Sequence, residues 1–277
     1  MPSLYIVSTP IGNLADITYR AVEVLRSVDR ILAEDTRRTS ILCRHYDLTA
    51  PLISMHEHNE RARIDAVLGW LEAGESLALV SDAGTPLVSD PGWRLVSAVI
   101  EAGYRVVPVP GASAALAAVV ASGLDPEPFT FFGFLPRSGR ARADRLDELA
   151  TLPHTAILYE SPQRLVRLLD DLAERSSGER RVVIGRELTK LHEEIIRGPL
   201  SEVVASFRER AVRGEVVVVV EGWAGAPAGV DEEAASALAS ALLKEGTRPS
   251  AVAREVSRRL GLPRNLAYQI VQRLKQD

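Results

Sequence analysis

The sequence is poor in what disulfide, metal and membrane proteins need. Cys43 is the one cysteine among 277 residues, so an intramolecular disulfide and a paired-cysteine metal site are excluded. Set in Thr39-Ser40-Ile41-Leu42-Cys43, it reads as a small core residue rather than a nucleophile. No apolar stretch approaches the roughly 20 residues that span a bilayer, so no membrane partner is expected. The opening Met1-Pro2-Ser3-Leu4-Tyr5 has neither a basic region nor a cleavable apolar segment. A signal peptide is therefore not expected, and a cytoplasmic location is. The common nucleotide signatures are missing: no G-x-G-x-x-G follows the first strand, and there is no G-x-x-x-x-G-K-[ST]. H-E-x-x-H is missing too. Of five histidines only His56 and His58 lie close together, and one such pair falls short of a metal ligand set, so no metal is expected. There is no fixed-period repeat and no low-complexity tract.

What is present is a soluble globular composition, 46% hydrophobic and 25% charged. The net charge of −4 is unevenly spread: residues 244–277 carry +5 and the rest of the chain −9. That asymmetry points to an anionic partner for the tail. Residues 4–8, 30–33, 52–54, 77–80 and 105–109 read as short buried strands. Thr18 caps a helix through residues 21–25. Ile64, Val67, Leu68 and Leu71 recur at i, i+3, i+4 and i+7, which predicts an amphipathic helix. Strands alternating with helices predict an α/β domain with a mostly parallel sheet covered on both faces.

Asp125-Pro126-Glu127-Pro128 reads as a connection to a second α/β region. Its expected strands are 129–132, 156–159, 181–184, 193–196 and 216–220, and its expected helices 139–151, 162–175 and 201–212. The fourth strand follows the third so closely that part of this sheet is expected to be antiparallel. Residues 222–230 have linker composition. Three helices are expected beyond them, at 232–244, 248–260 and 263–275. The expected domains are an N-terminal α/β domain over residues 1–122, a second, mixed-sheet α/β domain over 123–225 and a basic helical module over 226–277.

The segment most suggestive of chemistry is Ser81-Asp82-Ala83-Gly84-Thr85-Pro86-Leu87-Val88-Ser89-Asp90-Pro91-Gly92. It joins a buried strand to a helix, a task that needs only about 2–6 residues. Its glycines allow close approach of backbone to a ligand, and its prolines fix the loop. Similar polar segments follow the other strands: Thr9-Pro10-Ile11-Gly12-Asn13-Leu14, Glu34-Asp35-Thr36-Arg37-Arg38 and Pro110-Gly111-Ala112-Ser113. The carboxyl ends of parallel strands share one edge, so these loops are expected to converge there. The second region adds Gly133-Phe134-Leu135-Pro136, Tyr159-Glu160-Ser161 and Arg186-Glu187-Leu188-Thr189-Lys190.

Together these motifs resemble the small-subunit ribosomal RNA methyltransferases of the tetrapyrrole-methylase superfamily, over residues 4 to 222. The resemblance implies S-adenosylmethionine as methyl donor. It also implies 2′-O-methylation of a cytidine ribose (cytidine 1402) in the decoding region of 16S rRNA, a homodimer, and a cleft between two domains. By motif, Pro10 belongs to the first cofactor-lining turn. Asp82, Ala83, Gly84, Thr85, Pro86, Leu87, Val88 and Ser89 stand where the superfamily's Gly-Asp-Pro loop wraps the cofactor. Pro110 and Gly111 match another such turn, and Tyr159 and Glu160 align with a segment touching the adenosyl part. Thr85 replaces the aspartate of the porphyrin-type relatives, which argues against a tetrapyrrole substrate. The alternatives are a tetrapyrrole small-molecule methylase and a non-enzymatic RNA-binding assembly factor.

A ribose hydroxyl attacks poorly until its proton is taken, so a base is sought among the loops. The candidates are Asp35, Asp82, Asp90, Glu160 and Glu187, with Lys190 as a charged assistant. For contact with RNA phosphates the candidates are Arg37, Arg38, Arg137, Arg140, Arg142 and Arg145, with Arg258 and Arg259 among the arginines of the tail.

Overall fold

The computed structural model describes residues 1–176, 178–223, 232–260, 262 and 264–274. Two compact units emerge from the contacts: Met1–Ala117 with Glu187–Glu193, and Ala118–Arg186 with Glu194–Asp277. Relative to the expected division after residue 122, unit 1 also takes in a short segment from much later in the chain. The helical tail groups with unit 2, and the expected boundary at 225 lies outside the described residues.

Unit 1 is a doubly wound sheet. Its strands are β1 (Ser3–Val7), β2 (Arg30–Ala33), β3 (Leu52–Ser54), β4 (Leu77–Val80) and β5 (Arg105–Val109), in the spatial order β3-β2-β4-β1-β5. All four pairings are parallel. Alternate residues divide between two cores, as the period-2 pleat requires. Leu4, Ile6, Leu77 and Leu79 pack with Val67 and Leu71 of α3 (Glu60–Glu72) and with Leu95 and Val99 of α4 (Trp93–Glu101). Val7, Ala78 and Val80 pack on the other face. There they meet Ala21 and Leu25 of α1 (Tyr19–Ser27) and Leu42 and Cys43 of α2 (Thr36–His45). Cys43 is a buried core residue, and burial pushes its thiol pKa up. Helix α2 has no counterpart in the sequence reading. Its buried stripe is only Thr39, Leu42 and Cys43, and the helix opens on the polar run Thr36-Arg37-Arg38-Thr39-Ser40.

Strands β1 and β4 are neighbours, yet the helices that follow them lie on opposite faces. That is the switch point at which an open α/β sheet leaves a crevice beyond its carboxyl edge. Helix α5 (Ala114–Ser122) leads out of this unit.

Unit 2 holds a mixed sheet ordered β6-β7-β10-β8-β9. The strands are β6 (Phe129–Phe134), β7 (Thr155–Glu160), β8 (Arg181–Arg186), β9 (Glu194–Pro199) and β10 (Val216–Val220). β6 and β7 are parallel, while β10 runs antiparallel to β7 and β8, and β9 to β8. The expected antiparallel component is therefore present. Five consecutive valines make β10 a fully buried central strand. Helices α6 (Gly139–Thr151), α7 (Pro162–Ala173) and α8 (Leu200–Arg208) cover the sheet. α7 buries Leu165, Leu168, Leu169 and Leu172 at helical spacing. Each full burial of this kind contributes about 2 kcal/mol. Helices α9 (Glu232–Lys244), α10 (Pro249–Leu260) and α11 (Arg264–Arg273) form a small bundle around Ala235, Ala239, Val256, Ile270 and Val271.

Candidate active site

The loops of unit 1 meet at the switch point. Thr9 and Gly84 form an isolated antiparallel bridge, with Thr9 N–H donating to Gly84 O at 2.9 Å and Gly84 N–H to Thr9 O at 3.0 Å. This ties the turn after β1 to the 81–92 loop after β4. Ser8 and Thr85 hydroxyls lie 3.0 Å apart, and Thr85 Oγ1 donates to Ala112 O at 3.3 Å. Thr85 thus links the ends of β1, β4 and β5. The segment from Glu187 to Glu193 joins the same edge: Asn13 N–H donates to Thr189 Oγ1 at 3.1 Å. A Cβ on Gly12 would fall 2.4 Å from Lys190 Cγ and 2.9 Å from Thr189 Oγ1, so only glycine admits this approach.

Apart from Asp47 after α2, the described non-glycine residues with positive φ fall in the 81–92 loop and the segment from Glu187 to Glu193. Leu87 (φ 74°), Ser89 (φ 70°), Glu187 (φ 51°) and Thr189 (φ 65°) occupy the left-handed region without being glycine. Each such residue costs of order 1–3 kcal/mol, and such strain clusters at ligand clamps. Gly84 sits at φ +78°, between Ile11 Cγ2 and Ala112 O.

Carboxylates of unit 1 differ sharply. Asp35 is the N-cap of α2, accepting from Arg37 N at 2.9 Å, Arg37 Nε at 3.0 Å and Arg37 Nη2 at 2.7 Å. The Arg37 guanidinium holds its pKa down at about 2, so it is a weak proton acceptor. Asp82 Oδ1 accepts from Asp35 N at 3.0 Å, and Asp82 Oδ2 lies 3.5 Å from Arg38 Nε. Burial, and then the charges of Asp90 and Asp82, push the Glu34 carboxyl up. Burial and the Asp82 charge do the same to Asp90, against a hydrogen bond from Ser81. In the sequence Glu34 stands out only as a neighbour of Asp35; its signal is its place one residue past the end of β2. Glu187 and Lys190 form an ion pair at 2.8 Å within the segment that reaches Gly12.

In unit 2, Glu160 ends β7 with its side chain 1% exposed. Its Oε1 accepts from Ser161 N at 2.8 Å and lies 3.2 Å from Arg164 Nε. Its buried Oε2 has no hydrogen-bond partner among the described residues, an acceptor that a bound donor would satisfy. Tyr159 is half-buried between Phe131 and Phe134.

The arginines expected at RNA sort clearly. Arg142 is a correction: it is buried, donates to Asp171 Oδ2 at 2.8 Å and 3.0 Å and to Pro136 O, and so works inside unit 2 rather than on a surface. Its place on the inner side of α6, between Leu146 and Leu149 in the helical repeat, explains the burial. Arg37 and Arg38 are exposed and paired with Asp35 and Asp82. Arg140 is exposed beside Asp144, Arg145 pairs with Glu148, and Arg259 pairs with Glu255. The side chain of Arg258 lies outside the described residues. Arg137 is exposed and has no ion pair or hydrogen bond among the described residues.

A parallel sheet with its loops gathered at one switch point, joined to a mixed sheet ordered as here, defines a class. Residues 3–204 match the family of Tetrapyrrole (Corrin/Porphyrin) Methylases, and the chain belongs to that family. The chain is similar to the fold of "uroporphyrin-III C-methyl transferase from Thermus thermophilus complexed with S-adenyl homocysteine". The TM-score is 0.57 at 17% identity, over 79% of this chain and 97% of the other. Within the family its similarity is to proteins named ribosomal RNA small subunit methyltransferase I. It is 45% identical to that of Synechocystis over 100% of both chains, and 49% identical to that of Bacillus subtilis over 80% of this chain and 76% of the other. Among the described residues, no helix is long and apolar enough to cross a membrane.

Proposed function

We propose that this protein transfers a methyl group from S-adenosylmethionine to the ribose 2′-hydroxyl of a cytidine, position 1402, in 16S rRNA of the small ribosomal subunit. The observation that carries the reading is the 45% identity, over the whole chain, to a small-subunit rRNA methyltransferase I. The switch-point edge of unit 1 fits such a donor. It offers backbone and hydroxyl groups on turns from three strands, and three carboxylates, Glu34, Asp82 and Asp90, complement a positive charge.

S-adenosylmethionine supplies a methyl group already activated on a sulfonium sulfur. The chain's task is to hold, orient and accept a proton. Pro10, the loop from Asp82 to Ser89, and Pro110 with Gly111 are the turns that hold the donor. Their mutual bonds fix them before anything binds, and alignment of this kind contributes several kcal/mol to catalysis. Among the carboxylates, Glu34 and Asp90 combine a place at the edge with a raised proton affinity, which suits a proton acceptor better than the depressed Asp35. The Glu187–Lys190 pair positions the strained segment against Gly12.

The reading includes a homodimer in the cytoplasm, where small subunits assemble. Leu116 and Val120, one turn apart on α5, are 52% and 78% exposed and offer an apolar stripe for a second copy. The decisive experiment maps ribose methylation of 16S rRNA by mass spectrometry in cells with and without the protein. Loss of one 2′-O-methyl cytidine on deletion is expected; an unchanged methylation map would remove the reading.

A further inference from the structure

Arg137 differs from its fellow candidates in more than its lack of a partner. It lines an open cavity of about 650 Å³ contained within unit 2. Residues 134–137 form one wall, and Ser161, Gln163 and Arg164 the other. The volume falls in the range of about 300–1,000 Å³ typical of small-ligand sites. No carboxylate-bearing residue is among those that line it.

The walls offer two different chemistries. Phe134 is 55% exposed at the end of β6, and its ring leans on Tyr159 at 5.5 Å and 58°. Tyr159 in turn meets Phe131 edge-on at 5.0 Å. A large apolar ring is thus held in a fixed pose with more than half its surface in water. Opposite it, Ser161 stands at the N-cap of α7 without a side-chain capping bond, so its hydroxyl is not used by the helix. Arg164 is immobilised by Glu160 and by donation to Leu135 O at 2.8 Å. It supplies a rigid, largely neutralised wall, and Arg137 supplies the uncompensated charge.

We propose that this cavity receives one unpaired nucleotide of the RNA strand, with its base stacked on Phe134 and its phosphate at Arg137, assisted by the Ser161 hydroxyl and the Gln163 amide. The proposal rests on the rRNA reading above and names the unit 2 surface that takes the strand. A base inside a duplex has no free face, so the segment must be single-stranded there. Stacking on an aromatic ring suits any base, which leaves the cavity to hold the strand rather than to select the target.

The test uses full-length protein with Arg137→Ala and Phe134→Ala, both at exposed side chains whose loss leaves the core intact. Methylation is assayed on small ribosomal subunits from cells lacking the activity, cofactor affinity by calorimetry, and RNA binding with a fluorescent oligocytidylate. Each variant is expected to raise the KM for subunits about tenfold while cofactor Kd stays within about twofold. Arg137→Ala is expected to flatten the log–log salt dependence of oligocytidylate binding by about 0.7, the share of one phosphate, and Phe134→Ala to leave it unchanged. Phe134→Tyr is expected to restore the KM. Unaltered KM and salt slope in active variants would overturn the proposal, as would a parallel loss of cofactor affinity, which would assign the cavity to the donor. Wild-type protein inactive on such subunits would remove the rRNA reading and this proposal with it.

Discussion

The two units hold their functional segments in opposite ways. Unit 1 is all parallel, and its candidate residues sit on loops that bond to one another across the carboxyl edge: Thr9 to Gly84, Thr85 to Ala112, Asn13 to Thr189. Unit 2 is mixed, and its candidate residues are tied to near neighbours. Glu160, at the end of β7, pairs through Oε1 with Arg164 while its Oε2 has no hydrogen-bond partner among the described residues, and Arg142 of α6 pairs with Asp171. A parallel sheet brings all its strand exits to one side, so loops can cooperate. A mixed sheet sends exits both ways, and among the described residues of unit 2 only the parallel pair β6 and β7 brings two neighbouring exits together, at the cavity lined by residues 134–137, Ser161, Gln163 and Arg164. The strain follows the same division: Leu87, Ser89, Glu187 and Thr189 all belong to unit 1.

That contrast can be broken or sharpened by experiment. The largest expected effect is from Gly84→Val. A β-branched side chain at φ +78° beside Ile11 must displace the loop, and losing two hydrogen bonds to the donor at about 1–1.5 kcal/mol each weakens binding on the order of a hundredfold. Calorimetry is expected to find S-adenosylmethionine affinity down by at least that factor, with the circular dichroism of the fold retained. Unchanged affinity would take the 81–92 loop out of the donor site.

Arg180→Ala probes unit 2 instead. Its guanidinium is buried, donating to the carbonyls of Leu149, Ala150 and Glu221, and desolvation lowers its pKa to about 10. Removing it orphans those carbonyls and costs about 2–3 kcal/mol. Urea melts should shift accordingly while cofactor affinity holds; if affinity fell equally, the units would not be separable in function.

Removing residues 231–277 is expected to raise the KM for small subunits about fivefold, through loss of phosphate contacts, with cofactor Kd unaltered. Equal KM would assign the tail's charge to solvation alone. The smallest effect on stability is from Glu34→Gln. The Glu34 carboxyl is raised in the folded protein, so between its ordinary and raised values the native state binds more protons than the unfolded chain. Stability must then fall as pH rises through that window. Denaturation midpoints of the variant should decline less steeply there than those of the wild type. Superimposable curves would show that Glu34 titrates normally.

Much of this was legible in the chain. The strands of unit 1 announce themselves as short apolar runs, and each lies within one residue of where it is expected. Convergence of the loops followed from parallel connectivity alone. Helix α2 was not legible, because its stripe of Thr39, Leu42 and Cys43 is too narrow to stand out from its polar first turn. The burial of Arg142 is masked for a different reason: Arg137, Arg140, Arg142 and Arg145 read as one basic cluster, although Arg142 stands four and seven residues before Leu146 and Leu149 on the buried stripe of α6. Only the fold shows that one of the four turns toward Asp171. Nor does the sequence separate Asp35 from Glu34. One is a cap tied to Arg37 and the other lies against Asp90 and Asp82, a difference made by tertiary neighbours.

Seven residues, Glu187 to Glu193, belong to a unit whose other members ended seventy residues earlier, at Ala117. During synthesis the N-terminal sheet can therefore form early, yet Asn13 and Gly12 wait for Thr189 and Lys190 until most of the chain has emerged. The carboxyl edge of unit 1 closes late, after β6, β7 and β8 have been translated. A nascent chain that stops before this stitch carries the sheet and the glycine loop but lacks the contacts of residues 187–193, so completion of this edge is tied to synthesis of the first 193 residues.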